Sequence, residues 1–394
     1  MKFIHTSDWH IGRQFHNVSL LEDQRYVLNQ IIDYVKVNDV DALVIAGDIY
    51  DRSVPPAAAV ELLDDVLHKI CNELKVPVLI ISGNHDSAER LRFGSRQLKQ
   101  AGLHIFGELK QISEPTTITG KSGIYVNFYG IPYNDPELVR NQFEAQVSNH
   151  DEAHLFLVDQ IKQNISLSPE TNQTAKQEST SINVLLSHCF VDGAEESESE
   201  RPLSIGGADR VGFKPMLDFN YVALGHLHSP QYRGEEHIRY SGSILKYSFS
   251  EQHQKKGVTL VELDTAGKPT ITALPLKALR DMRIIEGEMT SIIEQGKTDP
   301  NADDYLMVRL TDTHAILDAM GKLRDIYPNV LHLEKPGIMA VGEKKAMNRE
   351  KLKRSEIEMF RDFYSQVSGN PLSLEQDDAL KNVISSLHTT EAEK

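Results

Sequence analysis

Seven side chains able to hold divalent metals recur in order over the first 228 residues. They are Asp8 and His10 in SDWH, Asp48 in GDIYDR, Asn84 in GNHD, His188 in LLSHC, and His226 and His228 in GHLH. Oxygen and imidazole donors of this kind suit hard-to-borderline divalent ions, and each motif follows a short apolar run. Asp8 and His10 stand two apart where the chain turns out of a strand, so both can reach one ion. Asp48 follows Gly47, which lets the backbone turn closely, and its two oxygens can bridge a pair of ions. Asn84 offers a neutral carbonyl oxygen, His188 and His226 suit the same ion, and His228 can return to the first. The expected division is Asp8, His10, Asp48 and His228 around one ion, and Asp48, Asn84, His188 and His226 around the other. Ions bridged in this way lie ~3.5–4 Å apart and can share a water or hydroxide for in-line attack on phosphorus. His85 is not needed as a ligand and is expected to protonate the leaving oxygen or to stabilise its charge. Asp86 is expected to orient His85 by a hydrogen bond. Asp51 and Arg52 either touch a substrate phosphate or pair with each other at a loop. One Asp after a strand is ordinarily a cap and one buried His a satisfied core residue. His5, His16, His68, His104 and His237 are assigned to that class, but five ordered motifs are not.

The elements that must carry these residues are legible from periodicity. Residues 2–6, 42–46, 77–82, 183–187 and 220–224 read as buried strands. A helix is expected over 20–37, with Leu20, Leu28, Ile31, Ile32 and Val35 on one side, and another over 57–74 after Pro55 and Pro56. Apolar strands alternating with helices predict a layered α/β domain, in which ligands gather at the carboxyl ends of the strands. Segments around 238–244, 257–263 and 269–276 predict a second sheet packed on the first. Near residue 276 the pattern changes to a small α/β module, with strands over 282–288, 304–311 and 329–334 and helices near 289–295 and 314–326. Polar residues 164–181 read as a flexible insert. The tail predicts two helices. The first, over 345–367, carries Ile357, Phe360, Phe363, Tyr364 and Val367 at helical spacing. After the break at Gly369, Asn370 and Pro371, Ser373 and Gln376 form a capping box for the second, whose stripe is Leu380, Val383, Ile384 and Leu387. This hairpin either folds back on its own core or, as its position and charge favour, grips a partner helix.

The chain has 394 residues and 40% apolar content, enough for roughly two to three domains of ~100–200 residues each. Its two cysteines, Cys71 and Cys189, cannot build a disulfide framework and read as small buried hydrophobes. The N-terminus lacks the pattern of a signal peptide and no run approaches the ~20 apolar residues of a membrane helix, so a reducing, cytoplasmic setting without membrane contact is expected. Net charge is −15, from 57 acidic and 42 basic residues. That balance argues against a nucleic-acid partner, although bound metal adds local positive charge that a formal count omits. Asp192, Glu195, Glu196, Glu198 and Glu200 form one run, read as a solvated loop. Any site for a polyanion must then be a local patch.

The motifs D-x-H, GD-xx-D, GNH-D, H and GH-x-H, over residues 8–228, resemble the calcineurin-like metallophosphoesterase superfamily. The resemblance implies a two-sheet sandwich flanked by helices with a di-metal site at one edge, in place of a simple doubly wound sheet. KFIHTSDWHIGR, VDALVIAGDIYDRSVPP, VLIISGNHDS, YVALGHLHSPQ and IRYSGSILKYSF are similar to the bacterial SbcD family of nuclease subunits. That resemblance implies a nuclease domain over 1–275, a capping domain over 276–340 and a C-terminal helical hairpin over 341–394. It further implies two Mn2+ ions, with Mg2+ able to substitute, and hydrolysis of DNA phosphodiesters in repair, recombination and replication. The activities implied are a 3′-to-5′ exonuclease on duplex DNA and an endonuclease on single strands and hairpins. The implied partner is the coiled-coil ATPase SbcC, whose base would hold residues 345–390, in an assembly of two SbcC and two SbcD subunits. The apolar face of the 20–37 helix and part of the 57–74 helix are candidates for contact between two copies, unless they are spent on their own sheet. The alternative function is a phosphomonoesterase or protein phosphatase on the same metal core, favoured by the Arg of GDIYDR and by the acidic charge. A non-catalytic scaffold would be expected to have lost ligands.

Overall fold

The computed structural model describes residues 1–167, 181–200, 209–314, 316–335, 356–368 and 370–391. It divides into two units, Met1–Leu279 and Arg280–Lys394. The first holds two six-stranded sheets.

In the first sheet, β1 (Lys2–Thr6), β2 (Ala42–Ile45), β3 (Val78–Ile81) and β4 (Leu103–Phe106) run parallel. Each is a short apolar run between helical connections, the arrangement that parallel pairing requires. In the second sheet, β5 (Thr116–Thr119) lies at the edge, antiparallel to β6 (Tyr125–Ile131). Then come β7 (Ile182–His188), β8 (Tyr221–Gly225) and β10 (Glu235–Tyr240), all parallel, with β9 (Gln231–Arg233) at the far edge. The remaining strands, β11 (Gly257–Leu263) and β12 (Pro269–Pro275), correct the expected order. They return to the first sheet, where β11 pairs antiparallel with β1 and β12 with β11. The second sheet is therefore built mainly from strands before residue 230, and of the late segments only β10, with 241–244 outside it, joins that sheet. Periodicity reports that a strand is buried but not which sheet buries it.

Side-chain alternation sorts the two faces. Phe3, Val44, Leu79, Phe128, Val184, Leu186, Tyr221 and Val261 meet between the sheets. Leu185, Val222 and Leu224 face the opposite way, onto α6 (His150–Leu167) through Leu157, Val158 and Ile161. His188 continues the even-numbered parity of β7, so it emerges at the end of the face between the sheets. His5 spans that gap, with Nδ1 on the Tyr221 hydroxyl at 3.0 Å and Nε2 on the Leu224 carbonyl at 3.1 Å. It is a core histidine as expected, but His16 and His68 are exposed and His104 and His237 only half-buried.

Helix α1 (Leu21–Val37) buries Val27, Leu28, Ile31 and Val35, and α2 (Ala57–Leu67) buries Ala59, Leu62, Leu63 and Val66. The apolar faces considered for contact with a second copy are thus spent within their own unit. A π-helical segment, His68–Glu73, extends α2 through the expected range. Residues 164–167 of the expected insert belong to α6, and 168–180 lie outside the described residues. Cys71 and Cys189 are buried and unpaired, and burial pushes their thiols up to about 11 and about 12. Among the described residues no helix is long and apolar enough to cross a membrane.

The second unit holds a three-stranded parallel sheet, β13 (Met282–Gly287), β14 (Tyr305–Leu310) and β15 (Val330–Glu334), with α7 (Met289–Gly296) and α8 (Ala319–Arg324). The expected helix from residue 314 begins only at Ala319, capped by Asp318, whose side chain accepts from the Gly321 N–H. Two further helices follow, α9 (Glu356–Ser368) and α10 (Leu374–Glu391); residues 345–355 lie outside the described residues. The capping box forms reciprocally. The Ser373 N–H donates to Gln376 Oε1 at 2.9 Å, and the Gln376 N–H to Ser373 Oγ at 3.2 Å. Arg361 clasps Asp377 through two nitrogens and ties the two helices together, while Phe360, Phe363 and Val383 stay exposed.

Candidate metal centre

The predicted ligands converge at one end of the sandwich, where the carboxyl ends of β1, β2, β3, β7 and β8 meet. The loops after β1 and β2 run side by side as a ladder. Asp8 N–H donates to Gly47 O at 3.0 Å, His10 N–H to Asp48 O at 3.0 Å and Ile11 N–H to Ile49 O at 2.9 Å. The turns require left-handed backbone at Asp8 (φ 52), His10 (φ 45) and Asp48 (φ 49), and His226 sits at φ 107. Such conformations cost ~1–3 kcal/mol each and persist where surrounding structure over-determines them. Close approach also fixes two glycines. A Cβ on Gly47 (φ +94) would lie 2.3 Å from His188 Nδ1, and one on Gly83 would lie 2.1 Å from Asp48 Oδ1.

The side chains form two groups that meet at Asp48. Asp8, His10 and His228 make one, and Asp48, His188 and His226 the other. Asn84 Oδ1 closes the second, 3.0 Å from His188 Nε2 and 3.2 Å from His226 Nδ1. Asp48 Oδ2 lies 3.7 Å from His10 Nε2 and 3.5 Å from His188 Nε2. It stands between the two groups. The six Asp and His side chains of the two groups are buried.

Hydrogen-bond accounting tests whether a cation fits. His188 Nδ1 lies 2.9 Å from the Ala46 carbonyl, which can only accept, so Nδ1 carries the proton and Nε2 is left with a lone pair. That lone pair faces Asn84 Oδ1 and Asp48 Oδ2, both acceptors. Three acceptors at one point need a proton or a cation. His228 Nδ1 is held by Ser199 Oγ at 2.6 Å and by Glu251 Oε1 at 3.4 Å, which leaves its Nε2 lone pair 3.1 Å from His10 Nε2. His10 Nδ1 is buried with no partner. A divalent cation in each group would satisfy the facing acceptors, though not His10 Nδ1, in a donor set that is oxygen and neutral imidazole throughout.

The electrostatics agree. Burial holds His10, His226 and His228 below the usual imidazole range, His226 at about 3, so they are neutral and fit to coordinate. Burial pushes Asp8 up to about 8. Burial also opposes charge on Asp48 and His188, but their mutual attraction prevails, holding Asp48 well below the carboxylate range and carrying His188 up to about 9. Without cations, protons occupy the positions that cations would take.

His85 is half-buried beside the groups. Its N–H donates to Asp48 Oδ1 at 2.9 Å, and Nδ1 donates to the Asp51 carbonyl at 2.8 Å. The orienting role expected of Asp86 therefore falls to a main-chain carbonyl. Asp86 instead accepts from the Ile49, Tyr50 and Gly83 N–H groups at 2.9–3.0 Å, pinning the Asn84 loop to the Asp48 loop. Asp51 joins a cluster with His10 and His85. It pairs with Arg13 at 3.1 Å more closely than with the exposed Arg52 at 3.8 Å.

A supporting layer escaped the sequence reading. The Gln24 amide donates to the His10 carbonyl at 2.7 Å and the Trp9 carbonyl at 3.2 Å and accepts from the Gly12 N–H at 3.0 Å. Glu251, fully buried, links His228 to Lys256. The acidic run is not wholly solvated: Glu200 Oε1 accepts from the His228 N–H at 2.6 Å, and burial pushes Glu200 up to about 7. Arg13, whose guanidinium lies 5.1 Å above the Tyr247 ring, donates to the Ser199 carbonyl at 3.3 Å. Isolated polar residues inside a helix or an acidic loop carry no spacing signal. Only the fold reveals them.

Comparison with known proteins places these features. The family described as calcineurin-like phosphoesterase matches residues 1–230, and the one described as type 5 capsule protein repressor C-terminal domain matches 278–368. The SbcD subunit of nuclease SbcCD from Staphylococcus epidermidis is 34% identical over 386 residues, covering 98% of each chain. Among solved structures, a dimetal phosphatase from Danio rerio aligns with 70% of this chain and 96% of its own at 11% identity and TM-score 0.40. The protein TT1561 of Thermus thermophilus aligns with 69% of this chain and 98% of its own at 11% identity and TM-score 0.38.

Proposed function

The chain belongs to the calcineurin-like phosphoesterase family, and within it to the SbcD family of nuclease subunits; we propose that it hydrolyses DNA phosphodiester bonds at the Asp48-centred site with two divalent cations, manganese foremost. The observation that carries the reading is the pair of buried acceptor groups sharing Asp48. Bound there, two cations would activate a water for in-line attack and neutralise the phosphoryl oxygens. Asp8, His10, Asp48 and His228 would hold one, and Asp48, Asn84, His188 and His226 the other.

The chain's own groups do the rest. His85, with its Nδ1 proton engaged by the Asp51 carbonyl, has Nε2 left, which in the imidazolium form would hand its second proton to the leaving oxygen. Its N–H on Asp48 Oδ1 fixes it to the bridging carboxylate. Arg13, held by Asp51 and Ser199, is a preset cation at the rim for a backbone phosphate. The partner proposed is SbcC, gripped by the 356–391 hairpin; the exposure of Phe360, Phe363 and Val383 and the Arg361–Asp377 clasp support a preformed apolar surface. The 276–340 module is proposed to be the capping domain of this family, in an assembly of two copies of each subunit. Buried, unpaired cysteines suit the reducing cytoplasm.

The test is incubation of the full chain with manganese and a labelled DNA hairpin, beside p-nitrophenyl phosphate. DNA cleavage that needs manganese, is lost with chelator, and falls ~10²–10⁴-fold in His85→Asn is expected. Turnover of the monoester with intact DNA, even with SbcC and ATP, would instead establish a phosphomonoesterase.

A further inference from the structure

We infer that Ser199 and Glu200, on the acidic 192–200 segment, are positioning residues for the ion held by Asp8, His10, Asp48 and His228: together they fix the main chain and the imidazole of His228 so that its Nε2 faces the site. The inference rests on the two-cation reading above and gives a role to a segment that lies outside every metal-binding motif.

Every polar atom of His228 other than Nε2 is held by a side chain from outside the motifs. Glu200 Oε1 accepts from its N–H at 2.6 Å. The buried Lys256 ammonium donates to its carbonyl at 2.9 Å, beside the Ser243 N–H at 3.1 Å. Ser199 Oγ lies 2.6 Å from its Nδ1. Proton accounting then fixes the tautomer. Ser199 Oγ has one proton, which it donates to Glu251, and that carboxylate, ion-paired with Lys256, can only accept. The Ser199 oxygen is therefore an acceptor toward His228. Nδ1 carries the imidazole proton, and Nε2 keeps its lone pair for a cation. Glu251 Oε1 itself is 3.4 Å from Nδ1, so the hydroxyl is the nearer partner and passes the influence of the carboxylate to the ring. Partners of this kind orient a metal-binding imidazole and raise its basicity.

The two ions do not depend on this segment equally. At the second, His188 is oriented by the main-chain carbonyl of Ala46. At the first, His10 Nδ1 has no partner among the described residues, so the orientation of imidazole there rests on His228. The segment is fastened along its length. The Glu195 N–H donates to Gln231 Oε1 at 2.9 Å, and Gln231 Nε2 to the Glu195 carbonyl at 2.8 Å. Gln254 Nε2 donates to Ser197 Oγ at 3.0 Å, and Arg13 to the Ser199 carbonyl at 3.3 Å. Glu195, Glu196 and Glu198 are exposed, whereas Ser197, Ser199 and Glu200 are half-buried. A carboxylate turned inward beside Glu251 is unfavourable unless donors meet it, and Glu200 meets two, the N–H groups of Ser197 and His228. Such a carboxylate is retained where its geometry has a task.

The experiment is manganese calorimetry on the full chain, with urea unfolding followed by emission of the buried Trp9 to confirm that each variant folds. Ser199→Ala is expected to weaken one manganese site ~10–100-fold and leave the other unchanged. Ser199→Thr keeps the hydroxyl and should restore the affinity. Glu200→Ala should weaken the same site as Ser199→Ala. Hydrolysis of bis-p-nitrophenyl phosphate by the two Ala variants should need correspondingly more manganese and reach the unaltered rate once metal saturates. Three results would each overturn the inference: unchanged affinity at both sites in the Ala variants, equal weakening of both sites with an earlier urea midpoint, or a folded Thr variant as weak as the Ala variant. If the unaltered chain binds two manganese ions but cuts no DNA, the nuclease reading fails and the variants still decide this inference. If it binds no manganese, both fall.

Discussion

Gln24 offers a sharp test of how the centre is held. It lies on α1, away from every metal-binding motif, yet its side chain is fully buried against the loop that carries Asp8 and His10. In Gln24→Leu the Gly12 N–H loses its acceptor and gains none. The carbonyls of His10 and Trp9 lose a donor each but keep another, the Arg13 N–H and the Tyr247 hydroxyl respectively. An orphaned buried donor costs ~1–3 kcal/mol and each lost but replaceable bond ~0.5–1.5 kcal/mol, so the variant should be destabilised by about 2–6 kcal/mol. Leucine fits the volume and adds apolar burial, which pulls the figure toward the lower end.

The chain supplies its own probe. Its single tryptophan is Trp9, in the same loop, fully buried, with Nε1 donating to Thr6 Oγ1 at 2.9 Å. Urea unfolding followed by Trp9 emission therefore reports the unit that contains the site, independently of the second unit. The variant should show an earlier midpoint and, by calorimetry with manganese, weaker binding of the ion held by Asp8, His10 and His228, with the other ion little changed. A loss below about 1 kcal/mol with both affinities unchanged would refute the reasoning. It would mean that the backbone ladder from Asp8 to Ile11 holds the loop without Gln24.

Other consequences are quicker to state. Asp48→Asn removes the charge shared by both groups, and calorimetry should find both manganese sites weakened together; loss of one alone would contradict the bridging position. Glu251→Gln withdraws the carboxylate behind His228 and should weaken one manganese site by ~10–100-fold, with activity restored by excess metal; unchanged affinity would make Glu251 a purely structural partner of Lys256. Asp8 at about 8 and His188 at about 9 both hold protons at neutral pH in the metal-free protein. Loading manganese should then release protons, and affinity should rise with pH until about 8–9 and level off above; calorimetry in buffers of different ionisation enthalpy reads the number directly, and a value of zero would be inconsistent with this account.

Much of this was legible in the sequence because two kinds of signal coincided. Apolar runs too short for helices marked β1, β2, β3, β7 and β8, and metal-binding residues stood directly after each of them. Strand parity even places His188 on the face between the sheets. What failed did so for physical reasons. Strand partnership is a long-range property, so 257–275 gave no sign of joining β1. Asp86 and His85 are adjacent in sequence, but adjacency does not make a hydrogen bond, and main-chain donors on the neighbouring loop took both Asp86 oxygens. The acidic run looked solvated because charge patterning cannot show that Glu200 folds onto the His228 backbone. Gln24, Glu251 and Lys256 act through geometry alone.

The charge balance counted against a polyanionic substrate, but four of the acids behind it lie in or beside the centre. Asp8, Asp48 and Glu251 are buried within the centre and Glu200 borders it; they set its chemistry and do not face an approaching strand. Asp8 and Asp48 exist to be neutralised, and two divalent cations would outweigh them by two charges. The surface beside the centre then presents Arg13 and Arg52, of which only Arg13 is tightly paired to a carboxylate. Steering by so few cations against an acidic background is short-ranged, since the screening length is ~8 Å at physiological salt. Association with DNA should therefore fall steeply as salt rises, while turnover of a small diester such as bis-p-nitrophenyl phosphate at the same centre should hardly change. Equal salt sensitivity of the two would show that the ions, and not the rim, are what salt disturbs.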